Sequence, residues 1–80
     1  MTIYIVENYY DEPTYKVHKT IEGARLGLLK EYTKNCLPNM IESIHSVAET
    51  VDNIKTDLEN ILTHGYVEEF AVIHECELEE

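Results

Sequence analysis

From residue 37 to residue 62 the apolar positions Leu37, Met40, Ile44, Val47, Val51, Ile54, Leu58 and Ile61 step alternately by three and four. This spacing predicts one long amphipathic helix with a continuous apolar seam, widened on one flank by Ile41, Ala48 and Leu62. Glu42, Glu49, Asp52, Asn53, Glu59 and Asn60 fall on the opposite side, with Asp57 at one edge.

Ahead of that helix, Ile3, Tyr4, Ile5 and Val6 form a run of strand formers whose continuous hydrophobicity suits a central strand. Residues 8–13 break the run, with turn chemistry at Asp11, Glu12 and Pro13. Alternation resumes over Tyr15, Lys16, Val17 and His18, which predicts a hairpin. Thr20 is a good helix cap and Glu22 places a negative charge in the first turn that follows. Ile21, Ala24, Leu28 and Tyr32 then keep helical spacing, while Gly23 and Gly27 weaken the helix but permit close packing against it. Residues 35–39 are expected to separate this short helix from the long one, with Pro38 in the first turn of the latter. The long helix is expected to end at Gly65, a natural left-handed cap residue. From Tyr66 the period becomes two, with Phe70, Val72, His74, Cys76 and Leu78 on one side and Glu69, Ala71, Ile73, Glu75 and Glu77 on the other. The expected architecture is a single α+β domain over residues 1–80. Its elements run β-β-α-α-β, a small three-stranded antiparallel sheet with one short and one long helix packed on one face.

Charge changes this picture more than composition does. The net charge is −10, with 16 acidic and 6 basic residues. Acids and bases balance over residues 1–40, whereas residues 41–80 carry every unbalanced acid and a single base, Lys55. Such an imbalance costs stability through self-repulsion, so either solubility or a basic partner must account for it. Direct binding to nucleic acid or to an anionic membrane is disfavoured, because both attract Lys and Arg. Glu42, Glu49, Asp52 and Glu59 share about one quadrant of the predicted helix over roughly 25 Å. The closing strand adds Glu68, Glu69, Glu75 and Glu77. Together with Asp57 these residues form the candidate partner-binding surface.

No catalytic motif competes with that surface. His18, His45, His64, His74, Cys36 and Cys76 lack the close pairing of structural zinc sites. Gly23, Gly27 and Gly65 fit neither phosphate-binding glycine pattern. Neither cysteine shows a nucleophile's surroundings, and a chain of this size leaves little room for a large cavity. The expectation is therefore a non-enzymatic protein with no metal and no cofactor. The two isolated cysteines suit a reducing compartment, and the N-terminal apolar run is too short for a signal peptide or membrane span, so a cytoplasmic protein is expected. Tyr9 and Tyr10, in the predicted turn, are candidate protein-contact anchors.

The opening Ile3-Tyr4-Ile5-Val6, the turn with Tyr and Asp, the Thr20-x-Glu22-x-Ala24 helix start and the Glu-rich closing strand resemble small host-takeover proteins of lytic bacteriophages. One acidic group of these mimics DNA and blocks the histone-like nucleoid protein HU. The resemblance covers residues 2–24 and 66–80. It implies a phage product acting in the host cytoplasm, as a homodimer, on a host protein, and the charge makes a basic host DNA-binding protein the expected partner. Charge and resemblance lead to one expectation, a DNA mimic that fills the basic surface of a histone-like protein. The alternative is an adaptor or inhibitor that recognises a protein without nucleic-acid affinity through the Tyr-rich hairpin. An obligate helical dimer, with the seam as its interface, is a third possibility.

Overall fold

The computed structural model describes residues 1–9 and 12–79. Tyr10 and Asp11, expected in the hairpin turn, lie outside the described residues. Strands β1 (Thr2–Asn8), β2 (Thr14–His18), β3 (Tyr66–Val67) and β4 (Ala71–Glu77) form one antiparallel sheet in the order β2-β1-β4-β3. Of the helices α1 (Ile21–Glu31), α2 (Leu37–Glu42) and α3 (Val47–Thr63), α1 and the C-terminal half of α3 cover one face of the sheet. The α+β class and the β1-β2 hairpin agree with the sequence. The strand count does not, because the segment from Tyr66 is two strands and not one.

A turn at residues 68–70 makes that division. Phe70 N–H donates to the Val67 carbonyl at 3.0 Å, and Glu69 adopts a left-handed φ of 61°. Side chains other than glycine pay for that conformation, and the burial of Phe70 in the core holds it in place. β4 then pairs with β1 from Thr2↔Glu77 to Asn8↔Ala71, so both ends of the chain supply the central strands.

The long helix from residue 37 to residue 62 also requires correction. The chain does not separate at residues 35–39. It continues from α1 through a π-helical turn, Tyr32–Cys36, directly into α2. Pro38 accounts for the widened turn. It has no N–H to give to the carbonyl four residues back, and its ring would crowd that carbonyl in a regular α-helix. The true break comes after Glu42. There the Ser46 hydroxyl accepts from Glu49 N–H at 3.3 Å and starts α3 afresh.

Caps read from the sequence hold elsewhere. The Thr20 hydroxyl accepts from Gly23 N–H at 3.0 Å, and Gly65 closes α3 with φ 69°. Gly27 permits the close approach of His18, whose Nε2 would lie 2.9 Å from a Cβ added there. Val6, Ala24, Leu28, Tyr32, Ile61, Val67, Phe70 and Ala71 form the core, between the helices and the covered sheet face. α3 runs antiparallel to the α1-α2 column: Tyr32 meets Asp57, while Leu26, further back in α1, lies beside Leu62. Since α1 ends near Asn8 and Lys16, α2 and the first half of α3 overhang that end of the sheet. The molecule measures 51 × 25 × 16 Å as a result.

Candidate functional site

The overhang changes how the acidic residues are arranged. Glu49, Asp52 and Glu59 remain on the outer side of α3 and are exposed, but the row spans only about 15 Å. Glu42 ends α2 and stands across the break from them. Glu68 and Glu69 occupy the β3-β4 turn, where they line an open cleft with Asp57, Asn53, Thr56, Met40 and Cys36. The fold thus joins Asp57, which the sequence placed on the long helix, with Glu68 and Glu69, which it placed on the closing strand.

Glu75 and Glu77 are not joined to them. They pair with Tyr4 and Thr2, at the end of the sheet opposite the overhang. Glu77 is engaged there by the Thr2 hydroxyl at 2.5 Å and by the N-terminal amine at 2.9 Å, which hold its carboxyl below the usual range. Asp57 is also committed, since it accepts from the Tyr32 hydroxyl at 2.9 Å. Burial pushes the Tyr32 phenol well above its ordinary pKa, and the bond to Asp57 adds to the rise. Burial likewise raises the Cys36 thiol, so it is a poor nucleophile at neutral pH.

Among the described residues, no ion pair involves Glu42, Glu49, Asp52, Glu59, Glu68, Glu69 or Glu75. Apart from Glu75, these carboxylates lie on α2, on α3 and in the β3-β4 turn, and a cationic surface can neutralise the field they form. The internal ion pairs lie elsewhere, the N-terminal amine with Glu77 and Lys16 with Glu31 at 2.5 Å, and His74 is hydrogen-bonded to Glu7 at 2.8 Å. No group of three or more His, Cys, Asp or Glu residues is placed to hold a metal ion among the described residues, and no helix there is long and apolar enough to cross a membrane.

A second feature escaped the sequence reading. The register puts Ile3, Ile5, Glu7, Tyr15, Val17, Tyr66, Val72, His74 and Cys76 on the sheet face away from the helices. Its two polar members, Glu7 and His74, bind each other, and Tyr15 also donates to Glu7, whose carboxyl is held below the usual range chiefly by the His74 bond. The covered face is the more polar of the two, since it carries Thr2, Asn8, Thr14, Lys16, His18, Glu75 and Glu77. Period-two alternation was visible in the sequence, but which side met the helices was not. The chain matches no family model, no curated protein and no solved structure.

Proposed function

We propose that this is a non-catalytic acidic binding protein that presents the outer side of α3 and the Asp57-Glu68-Glu69 cleft to the basic DNA-binding surface of a histone-like protein, and so blocks DNA binding. One observation carries the reading: among the described residues, Glu42, Glu49, Asp52, Glu59, Glu68 and Glu69 have no internal cationic partner, and Lys55 is the only base in the sequence of α3. Glu49, Asp52 and Glu59 stand in for phosphates. The cleft, apolar at Met40 and acidic at its rim, suits the aliphatic stem and charged head of an inserted Arg or Lys. Three carboxylates over about 15 Å are far sparser than the charges of a duplex, one per about 1.7 Å. Binding therefore has a shallower salt dependence than DNA shows at the same site.

A competition gel shift with a histone-like protein tests this. The protein is expected to release bound DNA at low salt and progressively less as salt rises, and the triple substitution Glu49→Lys, Asp52→Lys, Glu59→Lys is expected to abolish release. DNA that stays bound at a large excess of the wild-type protein rules out that target. A second reading, recognition of a protein without nucleic-acid affinity through the hairpin, has the exposure of Tyr9 and Tyr15 in its favour. It predicts that the triple substitution leaves binding intact.

A further inference from the structure

We infer that the open sheet face is the contact surface for a second copy of this chain, with two sheets stacked face to face and the helices outermost. This goes beyond the acidic-surface reading and does not depend on it. One-sided antiparallel sheets turn polar side chains to water, whereas here the open face is the apolar one. Ile3, Ile5, Val17, Val72 and Cys76 cross three of the four strands, and Tyr15 and Tyr66 stand at the two edges. Val17 and Tyr15 remain 62% and 63% exposed.

The surface area fits a missing partner. A folded chain of this mass exposes about 5,000 Å², and this one exposes 5721 Å². The excess, to which the overhang contributes, is of the order of the roughly 800 Å² that each partner buries in a standard interface.

Charge permits a second copy on this face and disfavours one on the overhang. A chain of net charge −10 repels its own kind wherever acids are unpaired. On the open face the single acid, Glu7, is bonded to His74 and Tyr15, so two such faces meet without opposed free carboxylates. A further exposed apolar patch, Ile41, Ile44, Val47 and Val51 at the tip of the overhang, is flanked by Glu42, Glu49 and Asp52 with no described ion pair. Pairing two copies there sets those carboxylates against one another. Two stacked sheets about 10 Å apart place both copies' α3 helices on opposite outer surfaces.

Sedimentation equilibrium of the full chain tests the inference. The wild type is expected to dimerise, Val17→Lys to weaken the dimer at least about tenfold, and Val47→Lys to leave it unchanged. Both positions are more than three-fifths exposed, so neither substitution disturbs the core, and far-UV circular dichroism checks this. A wild type that stays monomeric, or a dimer lost in Val47→Lys and kept in Val17→Lys, overturns the assignment. Thiol footprinting of the wild type gives an independent reading. Labelling of Cys76 should slow as protein concentration rises while that of Cys36 does not, and the opposite result moves the interface to the overhang.

Discussion

The two halves of α3 share one apolar periodicity and have different surroundings. In the C-terminal half, Ile61 is fully buried and Leu58 packs against the core. In the N-terminal half, Val47 and Val51 are 69% and 42% exposed, because the sheet ends before the helix does. A seam therefore records the face that a helix can bury, and the length of its support decides how much of it is buried. The overhanging half gains little from packing. It depends on its cap at Ser46, on α2 alongside and on a boundary fastened by Tyr32 and Glu31.

The sharpest way to break this comparison is to truncate the seam at each end. Ile61→Ala opens a cavity in the core and is expected to cost about 3 kcal/mol, enough to lower Tm by more than about 10 °C. Val51→Ala removes methyl groups already largely in water and is expected to cost less than about 0.5 kcal/mol. Chemical denaturation of both variants measures the contrast. Equal losses would mean that the overhang is packed in solution.

Tyr32→Phe tests the boundary itself with a smaller expected effect. The ring stays and fills its space, but Asp57 loses the only hydrogen bond it receives among the described residues. Leaving a half-buried carboxylate without that donor is expected to cost about 1 to 2 kcal/mol. The phenol's raised pKa adds a pH signature. An unfolded tyrosine ionises near 10 and the folded one higher, so stability present below pH 10 declines above it. The substitution should remove that part of the alkaline loss, which denaturant midpoints between pH 8 and 11 would show.

Much of the fold was legible because it rests on local chemistry. Thr20, Gly65 and the alternation through β2 each name their own structure. The break at residues 43–46 is marked only locally, by the capping-pair spacing of Ser46 and Glu49, and the seam conceals it because Ile44 and Val47 keep its phase across the gap. The turn at Glu69 left no signal, as glutamate does not favour a left-handed conformation and Phe70 holds it from the core. Of the candidate site, the sequence could list the carboxylates but not group them. The bond between Tyr32 and Asp57, 25 positions apart, and the cleft shared with Glu68 and Glu69 exist only once α3 has folded back.

The smallest expected effect concerns Glu31, which binds the sheet to the start of the overhang. One carboxylate oxygen takes the Lys16 ammonium, the other accepts from Asn35 in the π turn at 2.8 Å, and Asn8 of β1 donates as well. The Lys16 bond, the largest cause, holds the carboxyl below the usual range. A depressed folded pKa means that this stabilisation is present above the ordinary carboxylate pKa, near 4.3, and is lost as pH falls through the lower folded value. Glu31→Gln should therefore cost up to about 1 kcal/mol at pH 7, discounted because the Lys16 side chain is 60% exposed. The deficit should shrink as the wild-type carboxyl becomes protonated in acid, so denaturation curves of the two proteins converge there. If the deficit stays constant with pH, it comes from shape and not charge, and the overhang is held to the sheet by packing around the π turn.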